Sequence, residues 1–316
     1  MFTTPVKIQK VTAEITYGDR VMTLGSCFAD NIGGKFLSAF FLTDINPFGV
    51  LFNPISIANS LELLLQSKEI EAHDLFENRG IWQSFSYSSQ FSNVTVEDCL
   101  LNINNRLSAA RDFLEQTDFL LITFGTAWVY ESVKSGRVVS NCHKLPASEF
   151  VRRKLSVEDI VVTYKTLIEK LHTLFPNVQI IFSVSPIRHL KDGLHENNLS
   201  KSTLLLAIDA IQSECKQVFY FPSYEIQMDE LRDYRFYAAD MLHPSDVAVN
   251  YIWKRFSETY FSEDTQALKK RLEQLTADLL HRPLHPESSE YKSFLVSVEK
   301  RRDGIITDYP FMANRI

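Results

Sequence analysis

An aspartate and a histidine three residues apart, Asp240 and His243, stand just ahead of Pro244, and far upstream a serine, Ser26, directly follows an apolar run and a glycine. These are the residue types of nucleophilic acyl chemistry. A serine hydroxyl is almost wholly protonated at neutral pH, so it attacks a carbonyl only when a base takes its proton. Histidine is that base when a carboxylate fixes its tautomer and orientation. The spacing lets the Asp240 carboxylate reach one imidazole nitrogen of His243 while the other faces outward. A helix beginning behind Ser26 would turn its N-terminus toward a developing oxyanion. The expected catalytic residues are therefore Ser26, Asp240 and His243. Cys27, next to Ser26, reads as a small buried residue facing the sheet, because neighbours at such a turn point in different directions.

Those residues need elements to hold them. Val21–Leu24 reads as a first strand and Phe28–Phe41 as a helix weakened by Gly33 and Gly34. Asn53 and Pro54 pair as N-cap and first-turn residue of a helix through Leu64. A helix over about 96–116 leads into Asp118–Phe124, a continuous apolar run of the kind a parallel strand buried on both faces produces. The segment after Gly125 predicts a hairpin turning at Ser135-Gly136. Ser156 and Asp159 form a capping box for a helix to Phe175, followed by a strand at Val178–Val184, a helix at Leu199–Cys215 and a strand at Val218–Phe221. Pro244 is expected to open a helix through Tyr260, and an amphipathic helix follows over 264–281. Strand–helix alternation predicts an α/β fold, a mostly parallel sheet covered by helices on both faces. The organisation expected is one domain over residues 1–262 and a helical, charged C-terminal extension over 263–316, with Arg301-Arg302-Asp303-Gly304 solvated.

Composition narrows the function. A net charge of -6 with no basic run gives no electrostatic footprint for nucleic acid or a membrane surface. The first residues lack the basic flank and apolar run of a signal peptide, and no apolar stretch is long enough to span a bilayer, so a soluble, cytoplasmic protein is expected. The cysteines Cys27, Cys99, Cys142 and Cys215 show no CxxC spacing, which argues against a disulfide framework or a zinc ribbon. Asn141-Cys142-His143-Lys144 has no second ligand pair at metal-binding spacing, so neither metal nor cofactor is expected.

In an open parallel sheet, ligands bind beyond the carboxyl ends of the strands. There the sequence places Gly25, Ser26 and Cys27, then Gly125 and Thr126, then Ser185, Arg188 and His189, then Ser223, Tyr224 and Glu225. Gly125, Thr126, Arg188, His189 and Tyr224 are the substrate-binding candidates, Arg188 and His189 for an anionic or sugar portion. Trp128, Tyr130, Tyr234 and Tyr237 are either sugar-stacking surfaces or core aromatics.

Gly25-Ser26-Cys27-Phe28-Ala29 resembles the motif that gives the GSCFA family its name. Asn46-Pro47-Phe48-Gly49, Phe124-Gly125-Thr126-Ala127-Trp128, Ser185-Pro186-Ile187-Arg188-His189, Asp233-Tyr234-Arg235-Phe236-Tyr237 and Asp240-Met241-Leu242-His243-Pro244 resemble its further motifs, over about residues 20–255. The family is similar to the SGNH, or GDSL-like, hydrolases. That resemblance implies a three-layer flavodoxin-like sheet, a first-block serine nucleophile, a last-block DxxH pair and hydrolysis of acyl esters, often on carbohydrate. It also implies Gly49 as the second-block oxyanion donor beside the Ser26 N–H. The third block usually reads Gly-x-Asn-Asp, and here Ala127 stands where the oxyanion asparagine belongs. Asn53 is the expected replacement, although an Asn-Pro pair equally suits a helix cap. Three functions stay open: a serine acyl hydrolase acting on a small acyl ester or an acylated carbohydrate, an acyltransferase on the same triad, and a silent binding module.

Overall fold

The computed structural model describes residues 4–9, 11–66 and 68–316. Five strands build its central sheet: β1 (Arg20–Gly25), β2 (Leu42–Ile45), β5 (Phe119–Phe124), β9 (Gln179–Val184) and β10 (Val218–Phe221). They lie parallel in the spatial order β10-β9-β5-β1-β2. Counted along the chain this is the 2-1-3-4-5 order of flavodoxin-like folds, as expected. β5 is buried at every residue, and its side chains divide by parity. Leu120, Ile122 and Phe124 join one apolar cluster with Met22, Leu24, Ile180 and Phe182, whereas Phe119 and Leu121 join a second with Val21 and Ile181. Period-two alternation thus feeds two cores, one on each face.

The first core is covered by α2 (Pro54–Leu65), α3 (Val96–Leu114), α4 (Val157–Leu174) and α5 (Gly193–Glu214). The second is covered by α1 (Cys27–Ser38) and, after the one-turn α6 (Ser223–Glu225), by α7 (Asp246–Tyr260). The C-terminal helices α8 (Glu263–Leu279) and α9 (Ser289–Asp308) place Leu268, Leu272, Leu275, Val298 and Ile305 in that same second core, against Phe36 and Trp253 of α1 and α7. The Arg301 stretch expected to be solvated therefore begins with an ion pair: Arg301 meets Asp278 of α8, and Ile305, one turn on, is fully buried.

Short elements escaped the sequence. β2 is a four-residue edge strand with polar Thr43 and Asp44, too brief and too mixed for a periodic signal, and Asp44 pairs with Arg106 of α3. A hairpin of β3 (Phe76–Asn78) and β4 (Ile81–Gln83) turns on Arg79 and Gly80, both at positive φ. The hairpin expected after Gly125 is present as β6 (Trp128–Ser132) and β7 (Val138–Val139), and β8 (Phe150–Lys154) pairs on the other side of β6. α5 begins six residues earlier than the periodicity suggested. α7 begins after Pro244 rather than at it, since Ser245 caps the helix with its hydroxyl on the Ala248 N–H and Pro244 bridges Tyr237.

The carboxyl end of β1 is set by close packing. Gly25 has φ +140°, and a Cβ there would lie 2.2 Å from the Thr123 carbonyl oxygen of β5. Its N–H donates to Asn46 Oδ1 at 2.8 Å, and Asn46 in turn holds Asp30 of α1 at 2.5 Å. The strand can release Ser26 at this point only because residue 25 has no side chain. Gly25→Ala should lower the unfolding free energy by roughly 3 kcal/mol or more, through steric clash and strain together. Gly34→Ala, in the same helix-turn region but with nothing within 4 Å of the added methyl, should instead raise it by about 0.5–1 kcal/mol. Urea melts of both variants read the two signs.

Candidate functional site

Ser26 is the N-cap of α1. Its hydroxyl accepts from the Phe28 N–H at 3.3 Å, its own N–H donates to the Thr123 carbonyl at 3.3 Å, and the residue is 1% exposed. It thus sits at the positive end of a helix dipole, on the seam between β1 and β5. Cys27 beside it packs on the second core, where burial, and next the charge of Asp30, push its thiol pKa up. That holds the thiol protonated and makes it a poor nucleophile.

Asp240 and His243 occupy the turn before α7. Asp240 Oδ1 accepts from the backbone N–H groups of Leu242 and His243 at 2.9 and 3.0 Å, and Oδ2 faces His243 Nδ1 at 2.5 Å. Those backbone donors first, and then the imidazole, hold the Asp240 carboxyl down at about 2. Hydrogen bonding does this, because the side chain is 46% exposed. Nδ1 is engaged, and Nε2 has no partner among the described residues. No hydrogen bond joins His243 to Ser26 among them.

A cavity of about 320 Å³, at the lower end of the size of ligand pockets, is lined among others by Phe52, Asn53, Thr126, Trp128, Arg152 and His189; Ser26, Asp240 and His243 are not among its lining residues. The Gly125 backbone joins it to the serine: a Cβ at Gly125 would lie 3.4 Å from Ser26 Cβ, and the N–H groups of Gly125 and Thr126 both donate to the Phe52 carbonyl at 2.8 Å.

The expected binding and oxyanion residues fare unevenly. Thr126, His189 and Asn53 line the cavity, whereas Gly125 does not. His189 is kept neutral: burial first, then the charges of Lys201 and His243, push it down to about 4, and its Nε2 is enclosed without a partner. It offers no cation to an anionic substrate group, contrary to expectation. Arg188 does not line the cavity; its guanidinium donates to the Met241 carbonyl at 2.7 Å and lies over the Tyr237 ring. Tyr224 packs toward the first core, with its ring 5.7 Å from Lys201 Nζ. The Gly49 N–H is committed to the Asn46 carbonyl at 2.7 Å in a turn where φ is +80°, and the Ser26 N–H to the Thr123 carbonyl at 3.3 Å, so neither expected backbone oxyanion donor is free. Asn53 caps α2, with Oδ1 on the Ser56 N–H at 2.8 Å and Nδ2 on Ser56 Oγ at 2.9 Å, which leaves one amide hydrogen uncommitted. His143 is spent on the Ser84 carbonyl at 2.7 Å.

Sequence reasoning missed the residues that tie the site together. Asn197, Ser200 and Lys201 of α5 are all buried. Asn197 Oδ1 accepts from the His189 N–H at 3.0 Å, Ser200 Oγ accepts from the Ala127 N–H at 2.7 Å, and Lys201 Nζ donates to the carbonyls of Gly125 at 2.6 Å and Ser185 at 2.7 Å. The signal was present. The buried stripe Leu204, Ala207, Ile208 and Ile211, extended toward the N-terminus at helical spacing, lands on these polar residues. A stripe that turns polar at one end is a core face that becomes a binding face.

Lys201 is 1% exposed with no carboxylate partner, and burial pushes it down to about 7 from an ordinary 10.5. Its charged form is therefore disfavoured in the folded protein. The unfolded chain holds the extra proton between about pH 7 and 10.5, so this group adds stability as pH rises through that window, by up to about 1.4 kcal/mol per pH unit. Comparing Lys201→Met with the parent by denaturant unfolding at pH 7 and pH 9 should show the parent gaining on the variant as pH rises. An unchanged difference would refute the assignment.

The GSCFA family model matches residues 20–256. No curated protein matches the sequence. Among solved structures the chain is similar to a family 3 carbohydrate esterase of Clostridium thermocellum, at 12% identity and TM-score 0.34 over 76% of this chain and 94% of that one. It is similar also to a family 3 carbohydrate esterase from Talaromyces cellulolyticus, at 9% identity and TM-score 0.35 over 81% and 99%. A third is the acetyl xylan esterase Est2A of Butyrivibrio proteoclasticus, at 12% identity and TM-score 0.39 over 77% and 63%. Among the described residues, no helix is long and apolar enough to cross a membrane.

Proposed function

The chain belongs to the GSCFA family, and on that premise we propose that it is a serine-dependent acyl ester hydrolase whose substrate is a small acyl ester or an acylated carbohydrate. The observation that carries this reading is the Asp240–His243 hydrogen bond at 2.5 Å, which holds Nδ1 and leaves Nε2 as the only proton acceptor of the ring. His243 Nε2 takes the Ser26 hydroxyl proton as Oγ attacks the acyl carbon. The tetrahedral intermediate then collapses, the alcohol leaves with that proton, and water repeats the sequence on the acyl-serine. Ser26 at the N-terminus of α1 supports its part, because the helix dipole favours negative charge there. The held-up thiol of Cys27 supports serine over its neighbour.

Oxyanion stabilisation takes two or three donors. The N-terminus of α1 is one source. Asn53, which lines the cavity with one amide hydrogen to spare, is the side chain we assign to the role that Ala127 cannot fill.

The test is turnover of an aryl acetate by purified protein. Ser26→Ala should lose about three or more decades of kcat/KM while staying folded, with about 1 kcal/mol of stability lost with the helix cap, and Cys27→Ala should retain most activity. The opposite ranking would exclude the serine mechanism.

Asn53→Asp separates a cap from an oxyanion donor. Aspartate caps a helix as well as asparagine, so stability should hold. An acceptor-only carboxylate where negative charge develops should cost roughly 3 kcal/mol or more of transition-state stabilisation, about a hundred-fold in rate. Parental turnover at an unchanged melting temperature would return Asn53 to a purely structural part.

A further inference from the structure

The Asp240–His243 pair cannot hold itself in place. Its two side chains are 46% and 47% exposed, and an ion pair so open to water contributes little to fixing geometry. The turn that carries it is strained as well, since Met241, which has a side chain, sits at φ +60°. Some other group must set the turn.

Arg188, four residues past β9, is placed to do so. Its backbone N–H donates to the Leu242 carbonyl at 3.3 Å, and its Nη2 donates to the Met241 carbonyl at 2.7 Å. The guanidinium carbon stands 4.5 Å from the Tyr237 ring centroid and 5.6 Å from that of Tyr234. The same turn is closed from the other side by the Ala238 N–H on the His243 carbonyl at 2.7 Å and by the Tyr237–Pro244 bridge. Arg188 thus grips two consecutive carbonyls immediately before His243, Met241 through its guanidinium and Leu242 through its backbone N–H, and its planar cation lies on the aromatics that lead into the turn. Charged donors to carbonyls are stronger than neutral ones, and a flat guanidinium both stacks and donates where an ammonium does only one well.

We propose that Arg188 is a positioning residue for His243, fixing the turn over residues 240–243 from the carboxyl end of β9. The proposal deepens the hydrolase reading and rests on it for the role of His243. It also gives the exposed Tyr234 and the half-buried Tyr237 a purpose other than sugar stacking, as the platform on which the guanidinium lies.

The experiment pairs kinetics with hydrogen exchange on Arg188→Met, Arg188→Lys and Tyr237→Leu. In Arg188→Met, kcat for an aryl acetate should fall roughly 30- to 100-fold with KM within about two-fold, because a displaced base slows chemistry rather than binding. The backbone amides of Ala238 and His243 should exchange at least about ten-fold faster, with other amides unchanged. Arg188→Lys should recover part of both effects, and Tyr237→Leu should shift both in the same direction as Arg188→Met. Should Arg188→Met fail to fold, the lysine and Tyr237→Leu variants carry the test alone. Raised KM at unchanged kcat would make Arg188 a substrate contact, and unchanged exchange at Ala238 and His243 would mean that it does not hold the turn; either overturns the proposal. A parent protein without turnover would sink the hydrolase reading, and the exchange data would still decide whether Arg188 sets the turn.

Discussion

A single buried lysine nitrogen ties together the ends of two central strands. Lys201 Nζ meets the carbonyls of Gly125, just past β5, and Ser185, just past β9, in a dry space where neither oxygen could find water. A lysine nitrogen without a carboxylate costs free energy to bury, least in its neutral form, and an orphaned carbonyl costs free energy too; two N–H bonds to the carbonyls offset both. Much follows from that contact. Gly125, fixed by its oxygen to Lys201 and by its N–H to Phe52, packs against Ser26. The Ser185 loop, fixed likewise, leads to Arg188 and His189. The charge of Lys201 adds to burial in keeping His189 neutral.

The site has two halves of different character. The Ser26 half is made of strand ends with no freedom: Gly25 leaves no room for a methyl, Asn46 links Gly25 to Asp30, and the hydroxyl already caps a helix. The Asp240–His243 half is a surface turn whose acidity comes from backbone hydrogen bonds, not from burial. On the proposed mechanism the nucleophile would sit in a buried, tightly held position and the base in a turn that water reaches. The division matches the two roles in acyl transfer.

Helix α5 ties the loops after β5 and β9 together. Its buried stripe is apolar from Leu204 onward and polar at Asn197, Ser200 and Lys201, so one helix face serves first as core and then as clamp on the loops after β5 and β9. The long excursion of β6–β8 between β5 and α4 then adds Trp128, Tyr130 and Arg152 as the outer wall. Arg152, stacked on Trp128 at 4.6 Å and paired with Asp192, makes that wall rigid.

By itself the sequence determined the parallel sheet, its two covered faces and the local pairing of Asp240 with His243. Each of these rests on short-range pattern: β5 is apolar throughout because both its faces are buried, the capping box at Ser156 and Asp159 closes within four residues, and a three-residue spacing suffices to join a carboxylate to an imidazole. Tertiary structure decided how the strand ends converge and which polar groups remain free. Gly49, Arg188 and Asn53 are all credible binding residues as letters in a sequence, but the first spends its only N–H on Asn46, the second turns its guanidinium to Met241 and the Tyr237 ring and does not line the cavity, and the third lines the cavity with one amide hydrogen to spare. Whether a polar atom can act on a ligand depends on whether the fold has already satisfied it. That is settled by partners tens of residues away, such as Met241, 53 residues from Arg188, or Gly125, 76 from Lys201, which no local pattern encodes.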